Sequence, residues 1–399
     1  MYKPVINGVA VSVESFRNSL LAKGHQVYVF APESPEQLPP ERFVIRYPAF
    51  DLPIQKYPLV VPISPFADLF IETAMPDVLH AHHPSMLGRA AVNHSERHEL
   101  PLVFSYHTRY HDYAHYAQPF PKDRVRELIT HWLGHFMASC HHLVVPSESI
   151  RELVARIYGI EKQVSVVATG IDPARFEPGR KLEFRGRFGW EPDEVVFVSC
   201  GRLAEEKNFE LLLKAFSLLP ETPRWRLAVL GEGDHRGALL ALRDSLGLQA
   251  RVEFLGLIAS SQVPSYLAAA DVFCFASVTE TQGLVTLEAM ASGAAVVAVD
   301  ASGTRDAVDD GVDGLLTRVS ADALAQGLRA LLEQPELRLK LAASALDKAH
   351  QYRLENQTDK LVEVYRCAQD ACRARRRLHP HLHSHWEAFL DFFRVSSPF

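Results

Sequence analysis

Two glutamates with seven residues between them stand where an apolar run gives way to a helical pattern. Glu280 lies in the turn of FASVTETQGLVTLEAMASG (275–293), and Glu288 lies in the helix that follows. A carboxylate is a good acceptor for neighbouring hydroxyl groups, such as those of a hexose or a ribose. Unpaired N–H groups at the helix start can bind the same hydroxyls, and they belong to Gln282, Gly283 and Leu284. The pattern suits the two sugars of one nucleotide-sugar; the alternative is that Glu288 is a buried helix residue and Glu280 is merely exposed.

Two basic side chains follow another apolar run. VVFVSC ends at residue 200, and the loop GRLAEEKN with Arg202 and Lys207 precedes the helical pattern FELLLKAFSLL. Two fixed cations at the carboxyl edge of a parallel sheet suit a diphosphate, because arginine offers a planar fork and lysine a point charge. The adjacent Glu205 and Glu206 leave open the alternative of a solvated ion pair.

The first half of the chain offers two further candidates. Asn7-Gly8-Val9 opens a helix, where free N–H groups attract anions and Gly8 lets a phosphate or sugar approach, although an Asn-Gly pair is more often only a turn. His107 follows the run LVFSY, where it can contact a substrate or be an ordinary loop histidine.

Histidines are frequent in HAHH (80–83), at His111 and His115, and in the tail HPHLHSHW (379–386). Structural metal sites usually combine histidine with thiolates or carboxylates at close spacing, and no such spacing is evident. We therefore expect no metal ion, and a solvated tail.

The elements that must position these groups alternate between short apolar runs and helical patterns. Near-continuous apolar strands separated by helices indicate parallel sheets covered on both faces. The predicted fold class is α/β, with two doubly wound Rossmann-like domains that face a cleft and bind ligands at the carboxyl ends of their strands. ATGIDPARFEPGRK (168–181), rich in Gly, Pro and charge, marks the hinge. We expect domains over 1–170 and 171–355, and a segment 356–399 that crosses back to the first domain.

The front of the chain departs from this pattern. A helix is predicted over Val9–Lys23 with the loop PVING before it, and no strand precedes that loop. A doubly wound sheet without its central first strand would leave buried backbone groups unpaired. We therefore expect the natural start to lie upstream of residue 1, rather than a sheet that lacks its middle strand.

Composition excludes some classes of function. The 399 residues carry a formal charge of −6, so no overall basic field favours nucleic acid. No apolar stretch reaches the roughly 18 residues that a spanning helix needs. The start has no secretory signal pattern, and the five cysteines form no CxxC pair, which together indicate a reducing cytoplasm.

Taken together, the motifs resemble the family-4 retaining glycosyltransferases, which have the GT-B fold. The matching stretches, in chain order, are NGV (7–9), YHT (106–108), GIDPARF (170–176), GRLAEEKN (201–208) and E-x7-E (280–288). The match covers nearly the whole chain. The resemblance implies a nucleotide-sugar co-substrate, no other cofactor, no metal and retention of the anomeric configuration.

By matching position, the resemblance implies four catalytic residues: His107, Arg202, Lys207 and Glu280. The two cations would hold the donor diphosphate and stabilise the charge that develops on it. Glu280 would bind the hydroxyls of the transferred sugar as a positioning group, not as the nucleophile of a retaining hydrolase. Attack is expected on the leaving-group face, and the departing phosphate would accept the acceptor's proton.

The remaining donor contacts follow from the same resemblance. Glu288 would bind the ribose, Gly8 would border the phosphate and the sugar, and His107 would contact the sugar near its reacting carbon. The turn and helix start between the glutamates would complete the pocket, and they comprise Thr281, Gln282, Gly283 and Leu284.

Finer motifs resemble the diacylglycerol glucosyltransferases. They are TETQG, with Gln282 where many relatives have an aromatic residue, SYHTRYHDYAHY (105–116) and YPAFDLPIQKYPLVVP (47–62). The implied reaction transfers glucose from UDP-glucose to diacylglycerol with an α linkage. A lipid acceptor implies a cytoplasmic protein that associates peripherally with the anionic inner face of the cell membrane.

Two segments are candidates for membrane contact. PKDRVRELITHWLGHFM (121–137) carries Lys122, Arg124 and Arg126, with Trp132 on its apolar side. A basic cluster (373–377) precedes a tail whose apolar residues fall at helical spacing, at Trp386, Phe389, Leu390 and Phe393. Both have the pattern of an interfacial helix, and the alternative is that these faces pack on the body of the protein.

Other functions stay open. A GDP-mannose-dependent α-mannosyltransferase acting on a phosphoinositide or another lipid would use the same site. An inactive membrane- or partner-binding relative is favoured by the front of the chain, but opposed by its complete set of site residues. A nucleotide-sugar epimerase would need no membrane-facing domain. A dehydrogenase lacks GxGxxG after its first strand, and GEGD (231–234) opens no suitable βαβ turn.

Overall fold

The computed structural model describes residues 2–3, 7–33, 41–50, 59–61, 64–112, 120–176 and 178–378. The chain forms two compact units. Unit 1 comprises residues 1–168 and 357–399, and unit 2 comprises residues 169–356. Each unit combines helices with parallel strands.

Unit 1 begins with α1 (Gly8–Ala22), which Asn7 caps by accepting a hydrogen bond from the Ala10 amide at 2.9 Å. The elements that follow are β1 (Val29–Pro32), β2 (Val44–Tyr47), β3 (Ala49–Phe50), β4 (Leu59–Val60), α2 (Pro65–Ala74), β5 (Leu79–Ala81), α3 (Met86–His98), β6 (Leu102–Ser105), α4 (Lys122–Ser139), β7 (His142–Val145), α5 (Glu148–Tyr158) and β8 (Val164–Val166).

The strands of unit 1 form more than one sheet. β5, β6, β7 and β8 pair in that order and in parallel, β1 pairs in parallel with β2, and β3 pairs antiparallel with β4. β6 is buried along its whole length, and its Phe104 packs edge-on against Phe136 of α4 with ring centroids 5.0 Å apart. Within the described ranges, no strand precedes α1 and none joins the two parallel sheets.

Unit 2 is a regular alternation of helices and strands. Its elements are α6 (Lys181–Phe188), β9 (Val195–Cys200), α7 (Phe209–Phe216), β10 (Trp225–Leu230), α8 (Arg236–Ser245), β11 (Val252–Gly256), α9 (Val263–Ala269), β12 (Val272–Phe275), α10 (Leu284–Ala291), β13 (Ala295–Val299), α11 (Thr304–Ala307), β14 (Leu315–Thr317), α12 (Ala321–Glu333) and α13 (Pro335–Ala349).

The strand order of unit 2 locates its ligand crevice. The six parallel strands run β11-β10-β9-β12-β13-β14, which is the 3-2-1-4-5-6 order of a doubly wound Rossmann sheet. Phe197 and Val198 of β9 point into separate cores on the two faces of the sheet. The winding direction reverses between β9 and β12, so a crevice forms at the carboxyl ends of these two strands.

Five strands are not evident in the sequence: β2, β3, β4, β8 and β14. Each has only two to four residues, so none carries a long apolar run. The first helix, α1, begins and ends one residue earlier than the predicted range Val9–Lys23.

The last described helix, α14 (Leu354–Leu378), begins in unit 2 and continues along unit 1. Thr358 donates to Ser19 of α1 at 2.8 Å, and Gln369 donates to the Asp77 carbonyl at 3.5 Å. Where the chain enters α14, Arg353 forms a parallel bridge with Ile171. The two places where the chain passes between the units are therefore held side by side within unit 2.

Substitution of Gly88 in α3 tests a close approach of two backbones. An alanine Cβ there would stand 2.0 Å from the His83 carbonyl oxygen, so Gly88→Ala should lower the free energy of unfolding by roughly 1–3 kcal/mol. The matched control is Gly134→Ala in α4, whose Cβ would lie 3.6 Å from Tyr158. That variant should be neutral or more stable by up to about 1 kcal/mol. Equal urea midpoints for the two variants would contradict the assignment.

Candidate active site

An ion pair joins the loops that follow β9 and β12. Lys207 Nζ donates to Glu280 Oε1, and Ser277 Oγ donates to the same oxygen at 2.8 Å. The two charged side chains are only 21% and 15% exposed. Glu280 Oε2 accepts no hydrogen bond from any residue that the structure describes. The pair therefore stands at the ligand crevice of unit 2 with one carboxylate oxygen left for a ligand.

Arg202 lies at the rim of the same crevice and is also paired. Its guanidinium donates to Glu206, four residues on, whose side chain is only 5% exposed. The guanidinium itself remains 48% exposed. Both cations that the sequence assigns to a diphosphate are thus paired with carboxylates in this structure, and the partner of Arg202 is one of the two adjacent glutamates that the sequence offered as an alternative.

The loop GEGD (231–234) supports the Arg202 loop. The Leu203 amide donates to the Glu232 carbonyl at 2.9 Å. A Cβ at Gly231 would stand 2.0 Å from the Gly201 oxygen, and one at Gly233 would stand 2.2 Å from the Leu203 oxygen. The two glycines therefore admit the backbone that carries Arg202, which is a packing role that the motif alone does not indicate.

The loop after β13 supports the Glu280 turn in the same way. A Cβ at Gly303 would lie 2.6 Å from the Glu280 carbonyl oxygen and 2.8 Å from the Gln282 amide nitrogen. Gly303 also has φ +78, a conformation that side chains other than hydrogen disfavour. Ser302 Oγ donates to the Glu280 carbonyl at 3.4 Å. The position of Glu280 therefore depends on Gly303, for which ASGT after an apolar run is the only sequence signal.

The residues between the two glutamates have different roles. Gln282 is buried, and its carboxamide bonds to both backbone groups of Thr169, so only its backbone remains a candidate for ligand contact. Gly283 caps α10 with φ +74, and the amides of Gly283 and Leu284 donate to no described residue. These two amides keep the predicted capacity to bind hydroxyls, and Thr281 beside them is partly exposed.

Glu288 lies in α10, one turn beyond the helix start. Its carboxylate has neither a hydrogen bond nor an ion pair with a described residue. Burial raises its pKa to about 7, although Arg175 nearby partly lowers it. Burial, together with the Glu288 charge, raises the pKa of the Cys200 thiol at the end of β9 to about 12. Glu288 is therefore a half-enclosed acceptor without a protein donor, beside the last residue of β9.

In unit 1, His107 follows β6 and belongs to a row of histidines with His80 of β5 and His82 directly after β5. His107 Nε2 and His82 Nδ1 are 2.9 Å apart, and the two rings are stacked. His82 also lies against His80, with ring centroids 4.1 Å apart. His80 in turn bonds to Tyr365 of α14 at 2.9 Å and to Ser105 at 2.8 Å. The predicted contact residue is thus held by a network that HAHH contributes.

Burial keeps these histidines neutral. Desolvation lowers the pKa of His107 to about 4 and that of His80 to about 3, and holds that of His82 well below its usual range. A hydrogen bond between two imidazole rings requires one nitrogen to donate and the other to accept, which neutral rings satisfy. His107 therefore presents an uncharged ring near neutral pH.

Gly8 is the exposed first residue of α1. Nothing lies within 4 Å of the position that a Cβ would take there. Packing within the described protein therefore does not require glycine at this position, and its predicted role at a phosphate and sugar stays a prediction.

The helix α4 has two different halves. Lys122, Arg124 and Arg126 are exposed in its first half, and Leu128 beside them is 57% exposed. Trp132 is partly buried and packs against the core of unit 1 together with Phe136. The predicted membrane contact of Trp132 stays a prediction, and in this structure part of the side chain packs against the core of unit 1.

Some of the other candidates from the sequence lie within the described residues, and some lie outside them. Within residues 2–378, apart from the gaps given above, no three His, Cys, Asp or Glu side chains are grouped so that they could hold a metal ion. None of the helices described is both long and apolar enough to cross a membrane. Arg373 and Arg375 are exposed on α14, whereas His115 and the tail with Trp386 lie outside the described residues.

Comparison with known proteins identifies the class. Residues 6–175 match the model described as "Glycosyltransferase Family 4", and residues 180–348 match "Glycosyl transferases group 1". A solved structure of Anabaena HepE in complex with UDP-glucose has the same fold, with a TM-score of 0.70 at 20% identity over 91% of this chain and 97% of that one. Two Rossmann-like units with this fold and site define a GT-B glycosyltransferase.

Named relatives narrow the class to a family. An "Alpha-monoglucosyldiacylglycerol synthase" of Streptococcus pneumoniae is 29% identical over 91% of this chain and 83% of its own length. A "D-inositol 3-phosphate glycosyltransferase" of Actinosynnema mirum is 30% identical over 92% of this chain and 93% of its own. The chain belongs to glycosyltransferase family 4 and is an enzyme that resembles the diacylglycerol glucosyltransferases. The matches give no support to an inactive relative.

Replacing Glu288 with glutamine tests the origin of its raised pKa. Between about pH 4.5 and 7 the folded protein holds a proton that the unfolded chain has lost, so this residue's contribution to stability falls as the pH rises through that range. Glu288→Gln should match the wild type at pH 4.5 and exceed it at pH 8 by on the order of 1–3 kcal/mol. Urea unfolding at both pH values measures this.

The exposed Glu363 in α14 provides the matched control. Glu363→Gln should change the free energy of unfolding little at either pH, because its exposed ion pair with Arg366 contributes little to stability. A Glu288→Gln variant that is less stable than the wild type at pH 8 would contradict the assignment of a costly buried carboxylate.

Proposed function

We propose that this enzyme transfers glucose from UDP-glucose to the free hydroxyl of diacylglycerol and retains the α configuration. The observation that carries the proposal is the arrangement around the crevice of unit 2. Two cations on the β9 loop and a carboxylate with an unoccupied oxygen on the β12 loop lie there, with the Glu288 carboxyl nearby.

The donor side of the proposal rests on unmet hydrogen-bonding capacity. Glu288 is a half-enclosed acceptor beside the end of β9 and has no protein donor. The vicinal hydroxyls of a ribose are donors of the right kind. The amides of Gly283 and Leu284 and the free oxygen of Glu280 offer both donors and an acceptor to a hexose. One nucleotide-sugar would satisfy all of these groups together.

The proposed chemistry follows from charge. As the glycosidic bond to the diphosphate breaks, negative charge grows on the leaving group, where Arg202 and Lys207 would stabilise it. Lys207 would then exchange its contact with Glu280 for the diphosphate, since a doubly charged oxyanion is the stronger partner. Glu280 would be released to hold the sugar hydroxyls. Retention follows if the acceptor attacks the face from which the phosphate departs and gives that phosphate its proton.

The acceptor side rests on the named relatives and on unit 1. The Streptococcus protein that aligns over most of this chain is named for its product, a glucosylated diacylglycerol. The family-4 model matches residues 6–175, which include most of the N-terminal part of unit 1. We propose that unit 1 binds the acceptor, with His107 contacting the transferred sugar, and that unit 2 binds the donor.

The first half of α4 is the proposed membrane contact. Phe120 and Leu128 are 68% and 57% exposed beside Lys122, Arg124 and Arg126. Apolar side chains next to basic ones are suited to the boundary between headgroups and acyl chains of an anionic membrane. Peripheral association with the inner face of the cell membrane would bring the enzyme to its lipid acceptor.

Product analysis tests the proposal and its competitors. The protein is offered UDP-glucose or GDP-mannose, each with diacylglycerol in mixed micelles, with phosphatidylinositol or with inositol 3-phosphate. Glucosyl-diacylglycerol with an α linkage supports the proposal. A mannosylated phosphoinositide supports the alternative donor, and a glycosylated inositol phosphate supports the chemistry named for the Actinosynnema relative.

Removal of Lys207 should be costly for transfer. Lys207→Ala removes a cation from the developing diphosphate charge and leaves Glu280 without its partner, so kcat/KM should fall by roughly 10²–10³. The matched control is Lys214→Ala in α7, whose side chain is 52% exposed and is paired with Glu210. The control should retain wild-type turnover. Near-normal transfer by Lys207→Ala, measured as glucolipid formed from UDP-glucose, would overturn the proposed phosphate role.

Membrane contact by α4 predicts a selective loss in vesicle binding. Leu128→Asp places a charge where an apolar side chain should enter the headgroup boundary, so partitioning onto phosphatidylglycerol vesicles should fall about tenfold or more. Leu339→Asp is the control, since Leu339 of α13 is 66% exposed in unit 2. Flotation of both variants measures the effect. Equal binding would move the membrane contact away from α4.

A further inference from the structure

The side chain of Gln282 is bonded to a residue 113 positions earlier in the chain. Its Oε1 accepts from the Thr169 amide at 2.7 Å, and its Nε2 donates to the Thr169 carbonyl at 2.8 Å. Both residues are buried, with 7% and 6% exposed surface. A carboxamide that bonds both backbone groups of one residue imitates a strand partner and fixes position as well as distance.

Thr169 stands where the chain enters unit 2. Two residues further on, Ile171 donates to the Tyr352 carbonyl at 2.9 Å and accepts from the Leu354 amide at 2.9 Å, where α14 begins. Gly170 lies so close to this second passage that a Cβ would be 2.4 Å from Leu354 Cα. The anchor of Gln282 is therefore a rigidly packed pair of backbone segments rather than a free loop end.

The other end of the contact lies in the proposed donor site. Gln282 stands between Glu280, whose carboxylate bonds Lys207 and Ser277, and Gly283, whose amide is available to a ligand. The Glu280 side is held by these contacts and by Ser302, and the Gly283 side continues into α10. The carboxamide of Gln282 is the contact that ties the middle of this turn to a second part of unit 2.

We infer that Gln282 is a positioning residue for the transferred sugar. It acts through the backbone of the turn: its bonds to Thr169 set where the Gly283 and Leu284 amides and the Glu280 carboxylate stand. The identity of the donor in this inference rests on the proposed function. The tether, meaning the two hydrogen bonds between Gln282 and Thr169, does not. An aromatic residue at this position could fill the space but would offer neither of the two hydrogen bonds.

Gln282→Met tests the inference, because methionine keeps the length and volume and removes both hydrogen bonds. Gln357→Met is the matched control: Gln357 is 2% exposed and belongs to unit 1. Without any ligand, hydrogen exchange should accelerate in Gln282→Met at two separate segments, 167–171 and 277–284, and at neither segment in Gln357→Met. Unchanged exchange in both segments would overturn the tether, whatever nucleotide the enzyme uses.

Binding of the donor and of its leaving group separates positioning from general damage. If the turn positions the sugar, Gln282→Met should weaken UDP-glucose about tenfold or more and weaken UDP less than threefold. A merely structural defect would weaken both ligands equally, and that result would overturn the inference. If the wild-type protein binds GDP-mannose instead of UDP-glucose, the proposed donor is wrong. The loss of affinity in Gln282→Met is then compared between GDP-mannose and GDP.

Wild-type protein that binds neither nucleotide-sugar would defeat the proposed function and the sugar-positioning role together. The exchange measurement would still decide separately whether Gln282 holds the turn. Restoration of the wild-type exchange rates in Gln282→Met by UDP alone would also count against the inference, since UDP lacks the sugar that the turn is inferred to meet.

Discussion

The ion pair between Lys207 and Glu280 is the contact on which the candidate active site of unit 2 depends. It crosses from the loop after β9 to the loop after β12, the two strands between which the sheet reverses its winding. A nearly enclosed cation and carboxylate are costly to separate unless another charge replaces one of them. A diphosphate is such a replacement for Glu280. The pair therefore links the two loops. The same two side chains are the ones that the proposed reaction requires.

Close backbone approaches support this pair from both sides. Gly231 and Gly233 bring the β10 loop against the backbone that carries Arg202, and Gly303 brings the β13 loop against the carbonyl of Glu280. In each case the space for a Cβ is taken by a neighbouring carbonyl, so main-chain packing fixes the backbone that carries the charged side chains. With this backbone fixed, only the ends of the charged side chains need to move when Lys207 exchanges Glu280 for the proposed diphosphate. The loops after β9, β10, β12 and β13 therefore pack against one another at one edge of the sheet.

The sequence predicted the alternation of strands and helices, and it drew attention to charged candidate residues, because both leave local signals. Buried strands such as VVFVSC are continuous apolar runs, and charged residues directly after such runs are unusual enough to be noticed. It did not predict β8 and β14, which are short and only partly buried. It also missed the bonding of Gln282 to Thr169 and the support from Gly303, because these contacts join segments far apart in the chain and have no local pattern. Trp132 illustrates a related limit: periodicity identifies an apolar face but not what covers it, and part of this side chain packs on the core of unit 1.

The electrostatic difference between the units is consistent with the proposed chemistry. The candidate site of unit 2 contains two cations, whereas desolvation keeps His107 of unit 1 uncharged with a pKa of about 4. Positive charge favours departure of a diphosphate, but it would oppose the positive charge that develops on the sugar ring as that bond breaks. A neutral imidazole can accept or donate a hydrogen bond there without that penalty. His107 stacks on His82, which contacts His80, and desolvation of these rings maintains the neutral state that the proposed contact with the donor sugar needs.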